Sequence, residues 1–575
     1  MNPGYRQFRW TISTPPAVET VNRLAEEARI PEAIARILLD RGIDSAEAAT
    51  AYFTPRLDQL HDPFLMNGME KAVDRIVLAL ERKEKFFVFG DYDVDGTNGA
   101  SMLYLFFKRM GAEAQFYTPD RIKEGYGVSH PGIEYARDNG FTLFIAIDCG
   151  ITAVEQVSFA RSLGLDVIIC DHHEAGDTIP DAVAVLDPIK PGCSYPFKNL
   201  CGCGVGFKLI QAVAQRLGRE EVVPEFLDFV TLASTADIVP LIGENRILVR
   251  YGLEAINHNP RPGIKALIEI AGIKPGKIHT GQIVFNLAPR INAVGRLGDA
   301  MRAVRLLTST DPGEAEELAA VMEAENRNRR KIDEDTFLEA QQLAEQFYND
   351  DDTAALVLHD DHWHPGVVGI VASRMVEKYY KPSIMMATVD GVAKGSARSI
   401  SGFDVYKALK RCEDQIIQFG GHKYAAGLTV ELDRLDEFRQ AFNTAVRELM
   451  TDDLKTPEIR VNIELNLNEV TPRFRELLAD FAPFGPGNMR PVFLTKNVEV
   501  LNSPRVVGKN HLRFKVRQNG AVLDAIGFGM GDRLNEIYGR RDLQLVYTVE
   551  ENDWTPNGEA RPGESTPQLK IKDLR

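Results

Sequence analysis

Short apolar runs alternate with helical stretches between about residues 85 and 240. The runs are rich in aromatic and β-branched residues, which is typical of buried strands. They are Lys85–Phe89, Phe141–Ile147, Asp166–Cys170 and Ala182–Leu186. Helical stretches lie between them, including Gly99–Met110 and Thr152–Leu163. Alternation of this kind predicts an α/β fold with a doubly wound, mostly parallel sheet.

A long helix is predicted after this region. Ser309-Thr310-Asp311-Pro312 is typical of a helix start, and the chain lacks Gly and Pro from Glu314 to Asp350. A helix of about 35 residues spans about 50 Å, which predicts a connector between two domains. In its middle, polar residues interrupt the apolar stripe and indicate a solvated helix face; they are Asn326, Arg327, Arg329 and Arg330.

A second α/β unit is predicted from about Thr353 to Met450. It has strands at Ala355–Leu358 and Ser383–Ala387, with a helix at Gly369–Tyr379 between them. The segments GVAKGSARS and FGGHKYAAG follow, and their glycines predict turns. From about Glu458 the pattern becomes β-rich and predicts a small barrel.

The composition is that of an ordinary soluble protein, with 575 residues, 44% hydrophobic and 26% charged. No apolar run reaches about 18 residues, and the N-terminus lacks an apolar signal core, so neither a membrane span nor export is expected. The six cysteines, with three at Cys193, Cys201 and Cys203, indicate buried thiols and a cytoplasmic protein. The net charge of −15 argues mildly against a nucleic-acid partner but leaves local basic patches open.

The stretch FVFGDYDVDGTNGASM carries alternating Asp91, Asp93 and Asp95. Carboxylates this close repel one another unless a cation lies among them. The calcium-loop template requires a bidentate Glu at its twelfth position, where this chain has Met102. A strand also precedes the motif, so we interpret it as an acidic cluster at the carboxyl end of a strand, where α/β sheets bind ligands.

More ligand-type residues follow apolar segments. Asp148 ends one predicted strand and Asp171-His172-His173 ends the next, while Asp237 follows the apolar segment in LASTADIVPL. Each alone could be a helix cap or a surface residue. Together they predict one crevice in which carboxylates and imidazole hold Mn²⁺ or Mg²⁺ rather than zinc. Two ions about 3.5–4 Å apart would suit phosphodiester cleavage.

The chain resembles the DHH phosphoesterase family and, within it, the RecJ-type single-strand-specific exonucleases. The matching motifs run in the expected order over nearly the whole chain; they are GDYDVDG, AIDCG, CDHHEAG, ADIVPL, APRINAVGR, WHPGVVGIVASR, GSARS and FGGHKYAAG. The resemblance implies five metal ligands with Asp171 and His173 in or beside the site; the ligands are Asp93, Asp95, Asp148, His172 and Asp237. Many relatives carry His where this chain has Phe89, so a pronounced dependence on added Mn²⁺ is expected.

The resemblance also implies the domains and the reaction. We expect an N-terminal helical segment (1–60), a DHH catalytic domain (61–307), the connector helix (308–350), a DHH-associated domain (351–452) and an OB-fold nucleic-acid-binding domain (453–575). The implied activity is 5′→3′ hydrolysis of single-stranded DNA to 5′-mononucleotides by metal-activated water, in DNA repair and recombination. A single-strand-binding protein or a helicase is a candidate partner, and a monomer is expected.

Three sets of residues are candidates for binding the strand. Arg290 and Arg296 flank INAVG, and each is either a phosphate contact or a salt bridge within the fold. Ser396, Arg398 and His422 lie in the two glycine-bearing segments and are expected to form an anion pocket. On the predicted strand LRFKVR, side chains alternate, so its three cations share one face for tracking DNA or for solvent; they are Arg513, Lys515 and Arg517.

Two other functions remain open from the sequence. A short-oligonucleotide or cyclic-dinucleotide phosphodiesterase would need neither the long helix nor the basic β-rich tail. A catalytically silent replication scaffold would be expected to lack metal ligands, whereas this chain retains every acidic residue of the set.

Overall fold

The computed structural model describes residues 7–121, 123–347, 353–552, 554–555, 558–559 and 566–575. Its contacts divide the chain into two units. The terminal unit comprises Met1–Arg56, Thr456–Phe484 and Asn488–Arg575, and the central unit comprises Leu57–Lys455 and Gly485–Gly487. In sequence, the central unit is therefore inserted between two parts of the terminal unit.

The terminal unit begins with one short strand and three helices. They are β1 (Arg9–Ile12), α1 (Val18–Ala28), α2 (Glu32–Asp40) and α3 (Ala46–Phe53). Apolar residues at helical spacing, such as Ile34, Ile37 and Leu38 of α2, are fully buried.

The central unit contains the predicted parallel sheet. Its elements are α4 (Met69–Arg82), β2 (Lys85–Gly90), α5 (Val94–Arg109), β3 (Glu113–Tyr117), α6 (His130–Asp138), β4 (Leu143–Ile147), α7 (Val154–Ser162), β5 (Asp166–Cys170) and β6 (Ala184–Leu186). The strand order is β3-β2-β4-β5-β6, and every pair is parallel. Side chains of β2 alternate between two hydrophobic cores. Phe86 and Val88 pack into one core, and Phe87 and Phe89 pack into the other. Burial on both faces explains why these strands are continuously apolar.

A group of helices follows the sheet. They are α8 (Gly202–Leu217), α9 (Leu227–Ala236), α10 (Gly243–His258), α11 (Pro262–Ile270), α12 (Thr280–Gln282), α13 (Ala288–Leu297) and α14 (Met301–Thr308). Among the described residues, none of the helices has the length and apolar character needed to cross a bilayer.

The predicted long helix is α15 (Pro312–Phe347), with 36 residues. The sequence indicated a solvated face in the middle of this helix, but part of that region is buried. Arg327 is exposed, but Asn326 is completely buried and Arg329 is 9% exposed. Arg329 donates to Asn326 Oδ1 over 3.0 Å. Burial of these polar groups follows because α13, α14 and α16 pack on this helix.

A second sheet completes the central unit. Its elements are β7 (Leu356–Asp360), α16 (Val368–Tyr379), β8 (Ser383–Val389), β9 (Val392–Arg398), α17 (Val405–Lys410), β10 (Gln418–His422), β11 (Ala425–Glu431) and α18 (Leu435–Leu449). The order is β10-β11-β9-β8-β7, and only β7 and β8 are parallel. GVAKGSARS is therefore mostly strand β9 rather than a turn, whereas FGGHKYAAG is the β10–β11 hairpin, with its turn at Lys423 and Tyr424. Gly395 has a packing reason, because a Cβ there would lie 2.3 Å from Met386 Cγ.

The C-terminal part of the terminal unit is a barrel, as predicted. Its elements are β12 (Glu458–Val461), β13 (Ile463–Glu464), α19 (Pro472–Ala479), β14 (Phe493–Val507), β15 (His511–Gln518), β16 (Ala521–Gly527), α20 (Leu534–Ile537), β17 (Leu543–Asn552), β18 (Trp554–Thr555), β19 (Gly558–Glu559) and β20 (Thr566–Leu574). Strands β14-β15-β16-β20-β17 pair in this order, and β17 pairs back onto β14 to close the barrel.

The N-terminal helices share a core with this barrel. Leu24, Ile34 and Leu38 belong to the same buried cluster as Phe514 and Tyr547. Strand β1 also pairs in parallel with β12, with Arg9 opposite Glu458. The two ends of the chain therefore form one folding unit.

Candidate metal centre and strand-binding residues

Three neighbouring parallel strands end in aspartate. Asp91 follows β2, Asp148 follows β4 and Asp171 follows β5. Strand β4 pairs with both β2 and β5, with Ile147 opposite Gly90 and Cys170. The three carboxylates therefore leave the sheet at one edge, where ligands bind in doubly wound folds.

Asp93 and Asp95 lie where α5 begins. The Asp93 carboxylate caps the helix by accepting the backbone N–H groups of Asp95 and Gly96 over 2.8 and 3.1 Å. Helix α13 supports this turn, because Asn292 Oδ1 accepts the N–H of Val94 over 3.1 Å. Gly295 is needed there, since a Cβ would lie 2.3 Å from the carbonyl oxygen of Tyr92.

The N-terminus of α8 fixes Asp95 in one orientation. The backbone N–H groups of Gly202 and Cys203 donate to its two carboxylate oxygens over 2.6 and 2.8 Å. These two hydrogen bonds from a helix N-terminus suit a side chain that carries negative charge. Gly202 also lies against Asp148, because a Cβ there would come within 2.7 Å of Asp148 Cα.

Asp148 adopts a left-handed backbone conformation with a φ of 61°. Aspartate tolerates this region better than most residues. The Asp148 N–H donates to the carbonyl of Cys170 over 2.9 Å, which ties the turn to β5. Its Oδ1 atom lies 3.2 Å from His172 Nε2.

The histidine pair divides between two environments. His172 Nε2 is buried without a hydrogen-bond partner in the described residues, and it lies 3.7 Å from carboxylate oxygens of both Asp95 and Asp237. His173 Nδ1 instead lies 2.7 Å from Asp171 Oδ1. Burial lowers the pKa of His172, which keeps its ring neutral. Burial also opposes the charge on His173, but the hydrogen bond with Asp171 outweighs it and raises this pKa to about 9.

Asp171 orients the loop that carries these histidines. Its carboxylate accepts the backbone N–H groups of Ile151 and His172 over 2.9 and 2.8 Å, in addition to the His173 ring. Burial alone would raise the pKa of Asp171, but these hydrogen bonds lower it overall. Asp171 thus accepts its hydrogen bonds from protein groups, and its role is to orient the loop that carries the histidines.

Asp237 reaches the site from a helix rather than from a strand. It follows the last residue of α9, so the apolar segment before it is a helix. Burial, then repulsion from Asp95 and Asp93, raises its pKa to about 8. The next residue, Ile238, has a φ of 61° and is 61% exposed, an unusual conformation for a β-branched side chain.

These side chains form three overlapping sets with ligand atoms within 4.8 Å of one another; the sets are Asp148–His172–His173, Asp95–His172–Asp237 and Asp91–Asp93–Asp148. Burial, followed by repulsion from neighbouring carboxylates, raises the pKa values of Asp91, Asp93 and Asp148. Divalent cations would offset this repulsion. A donor set of carboxylate oxygens and imidazole fits Mn²⁺ or Mg²⁺, as predicted.

Asp91 is a candidate ligand that the sequence analysis left out. It is 2% exposed, and its Oδ1 atom is buried with no hydrogen-bond partner in the described part of the chain. The alternating D-x-D-x-D pattern contained the signal. Phe89, by contrast, stacks on Tyr117 and Phe144 in the core and offers no ligand atom.

A group of arginines forms a second polar region in the central unit. Arg296 donates to the carbonyl of Gly366 over 3.1 Å, and Arg398 donates to Ser396 Oγ over 2.6 Å. Burial, then the charge of Arg121, lowers the pKa of both guanidinium groups, that of Arg296 to about 10. Arg121 lies in the loop before α6, and the sequence analysis missed it. Three cations that disfavour one another form a candidate anion site.

The backbone around Ser396 and Arg398 differs from the expected glycine-rich turn. Both residues lie on β9 and point to the same face of the sheet. The α16 N-terminus lies beside them, because a Cβ on Gly369 would come within 3.0 Å of Arg398 Nη2 and 3.1 Å of Ser396 Oγ. The register places exposed His422 in line with Ala425 and Arg398 across β10, β11 and β9.

Arg290 lies away from this group. It is 5% exposed, its Nε atom lies 2.7 Å from Glu323 Oε2 of α15, and its Nη1 atom donates to the carbonyl of Asn286 over 2.6 Å. This geometry matches the salt-bridge alternative for Arg290.

The basic strand β15 alternates as predicted, with Leu512, Phe514 and Val516 buried. Its cations are not equivalent. Arg517 donates two hydrogen bonds to Glu499 Oε2 over 2.9 and 2.6 Å, and Lys515 lies 3.9 Å from Asp524.

Arg513 has a different environment from its two neighbours on β15. It lies opposite Arg505 on one side and Ile526 on the other, and Ile526 lies opposite Lys570. Neither Arg505 nor Arg513 forms an ion pair with any described residue. Lys570 lies 3.7 Å from Glu550. The row Arg505–Arg513–Ile526–Lys570, here called the basic row, therefore has two arginines without an ion pair among the described residues, whereas the predicted face has one.

Family models match three parts of the chain. The DHH family, N-terminal domain, matches residues 85–234, the DHHA1 domain matches residues 352–448, and the RecJ OB domain matches residues 461–573. The first match contains the aspartates at the sheet edge, the second contains Ser396 and Arg398, and the third contains the closed barrel.

Similar proteins carry the same name. The single-stranded-DNA-specific exonuclease RecJ of Bacillus subtilis is 38% identical over 571 residues, covering 99% of this chain and 71% of that protein. The Escherichia coli protein of that name is 35% identical, covering 92% and 94%. The crystal structure of RecJ with Mn²⁺ from Thermus thermophilus matches with a TM-score of 0.83 and 28% identity, over 99% of this chain and 79% of that one. The chain therefore belongs to the RecJ family of single-stranded-DNA-specific exonucleases.

Proposed function

We propose that this protein degrades single-stranded DNA from its 5′ end and releases 5′-mononucleotides, acting in DNA repair and recombination in the cytoplasm. The observation that carries the proposal is the convergence of five carboxylates and His172 on one edge of the parallel sheet, in the same unit as the arginine group. A small cyclic or dinucleotide substrate would leave the basic row of the barrel without a role.

In the proposed reaction, the carboxylate cluster and His172 would hold two divalent cations. When bound, Mn²⁺ or Mg²⁺ neutralises phosphoryl oxygens and makes water more acidic. Asp95 has one fixed orientation because α8 donates to both its oxygens. Asp148 belongs to two of the three ligand sets, so it would serve as a ligand in either of them. His173, held by Asp171, is placed to donate a hydrogen bond to the phosphate.

The arginine group is proposed to bind the terminal 5′ phosphate. A terminal phosphate carries more charge than an internal diester, so Arg121, Arg296 and Arg398, with Ser396, favour it. Binding the end here while the cations lie at the sheet edge would fix which bond is cleaved. Polarity then follows from the separation of two sites in one unit. The basic row would hold the following strand by its phosphates.

Several features of the proposal concern the cell rather than the chemistry. Single-stranded DNA needs to be exposed before this enzyme can act, so we propose a single-strand-binding protein or a helicase as a partner. The active sites lie within one chain, which suits a monomer.

The test uses single strands labelled at either end, with and without Mn²⁺, and blunt duplex as a control. Digestion from the 5′ end releases a labelled mononucleotide early only from the 5′-labelled strand. Early release from the 3′-labelled strand, or a random set of fragments, would contradict the polarity. Asp148→Ala serves as the inactive control.

The end-binding role has its own prediction. Arg398→Ala is expected to raise KM about tenfold for a 5′-phosphorylated strand and to change that for a 5′-hydroxyl strand much less, because one charge-assisted contact is lost. Arg411→Ala is the matched control, since Arg411 pairs with Glu448 on the same domain. An unchanged preference for the 5′ phosphate in Arg398→Ala would remove this residue from the end site.

A further inference from the structure

The loop between β3 and α6 carries residues of both polar regions. Arg121 of the arginine group lies at its start, and Tyr126 lies five positions later beside the metal centre. Gly125 and Gly127 flank Tyr126 with φ values of 85° and 83°. These left-handed positions favour glycine and project the tyrosine away from the sheet, where it is 59% exposed.

Tyr126 contacts His173, the more exposed histidine of the His172–His173 pair. Its hydroxyl lies 3.3 Å from His173 Nε2, and the two rings meet edge to face with centroids 6.1 Å apart. The other nitrogen of His173 is occupied by Asp171 over 2.7 Å. Asp171 therefore holds Nδ1 closely, and the longer contact with Tyr126 orients the ring while leaving Nε2 able to take a phosphate oxygen as a second partner.

The two ends of the loop are also in contact through a tyrosine of the acidic motif. The Arg121 guanidinium lies 5.1 Å from the centroid of the Tyr92 ring, and Tyr92 meets Tyr126 edge to face at 6.4 Å. Tyr92 stands between Asp91 and Asp93 in the sequence. A continuous set of contacts thus runs from the arginine group to His173.

Glu124 holds this loop in shape. Its carboxylate accepts the Tyr117 hydroxyl over 3.0 Å, the Asp120 N–H over 2.9 Å and the Ser129 hydroxyl over 2.6 Å. These three donors come from the end of β3, the loop itself and the residue that caps α6. One carboxylate therefore determines where Arg121 and Tyr126 lie.

We propose that Tyr126 is a positioning residue for phosphodiester hydrolysis, which holds His173 toward the scissile phosphate. We further infer that Glu124 couples this function to binding of the strand's end through the shared loop. The inference rests on the proposed function, because it assigns a role within that reaction.

The test compares Tyr126→Phe with Tyr135→Phe. Tyr135 is the matched control, because its hydroxyl bonds Gln115 over 2.6 Å on the same side of the sheet but away from the histidines. Tyr126→Phe is expected to lower kcat about tenfold while KM stays within about twofold, since the misplaced group acts on the reacting phosphate and not on the end. The Mn²⁺ dissociation constant, measured by calorimetry, should also stay within about twofold.

Glu124→Gln is the second variant, because it weakens the loop without removing either functional side chain. It is expected to lower kcat and to reduce the preference for a 5′ phosphate together, whereas Tyr126→Phe changes kcat alone.

Equal kcat values for Tyr126→Phe, Tyr135→Phe and wild type would overturn the role of Tyr126. A changed Mn²⁺ affinity in Tyr126→Phe would also overturn it, because the effect would then act through the ligands. A Glu124→Gln variant that alters only one parameter would overturn the coupling. Failure of wild type to cleave single-stranded DNA would instead refute the proposed function.

Discussion

Neutralising Asp237 is expected to stabilise the metal-free protein while abolishing its activity. The Asp237 carboxyl has a raised pKa of about 8 in the native state, against 3.8 for an unperturbed aspartate. At pH 7 the native state therefore retains a proton that the unfolded chain has lost. Asp237→Asn removes the group responsible while keeping the size and shape of the side chain.

The size of the effect follows from the two pKa values. Between the unperturbed pKa and pH 7 lie about three pH units, worth about 4 kcal/mol at 1.36 kcal/mol for each unit. The side chain is 28% exposed, so water screens part of the repulsion from Asp95 and Asp93. We expect Asp237→Asn to raise the free energy of unfolding by about 2 to 4 kcal/mol at pH 7 without metal.

The pH dependence has a defined sign. Because the native pKa is raised, the cost to the native state is complete above about pH 8 and disappears as the pH falls toward 4. The advantage of Asp237→Asn should therefore shrink from pH 8 to pH 4. Mn²⁺ should stabilise wild type more than the variant, because it binds the native ligand set.

The assay is urea unfolding of EDTA-treated protein between pH 5 and pH 8. The unfolding transition to be compared is the one that added Mn²⁺ shifts in the wild-type protein. The exposed Asp177, replaced by Asn, is the control for loss of one charge. A metal-free Asp237→Asn variant that is no more stable than wild type at pH 7 would refute the argument from repulsion. A stability advantage of Asp237→Asn over wild type that grows as the pH falls would also refute the argument.

Two further predictions concern other residues. Gly202→Ala should weaken Mn²⁺ binding by at least about tenfold in calorimetry, because the added methyl would meet Asp148 and displace a ligand. A variant that binds Mn²⁺ with wild-type affinity would contradict this prediction and show that the turn can relax. In the barrel, Arg513→Glu should flatten the log–log salt dependence of single-strand binding by about 0.7 or more. Arg517→Glu should change the slope less, since Arg517 already pairs with Glu499. Equal slopes for the two variants would contradict the proposal that the basic row binds phosphates.

The sequence predicted the parts of the site that follow from local pattern. Strands β2, β4 and β5 are buried on both faces, so their continuous apolar runs also located the aspartates at their ends. The apolar segment before Asp237 is helix α9, which its sequence did not reveal. An apolar segment of about eight residues does not distinguish a buried strand from a buried helix.

Long-range placement accounts for what the sequence did not predict. Arg121 lies in a loop, and only the fold brings it toward Arg296 and Arg398. The acidic partners Glu499 and Asp524 lie on the strands next to β15, outside the basic segment that suggested a uniform face. Gly395 of GVAKGSARS resembles a turn residue, yet it serves close packing between strands, whereas Gly391 does lie in the turn before β9.

The shared core of the N-terminal helices and the barrel has a consequence for synthesis on the ribosome. Helices α1–α3 emerge first, but their partners in β14–β17 follow only after the whole central unit has been translated. At about 5–20 residues per second, an intervening segment of about 400 residues takes about 20–80 s. During that interval Leu24, Ile34 and Leu38 lack their native cover, which makes the nascent N-terminus a natural client for chaperones.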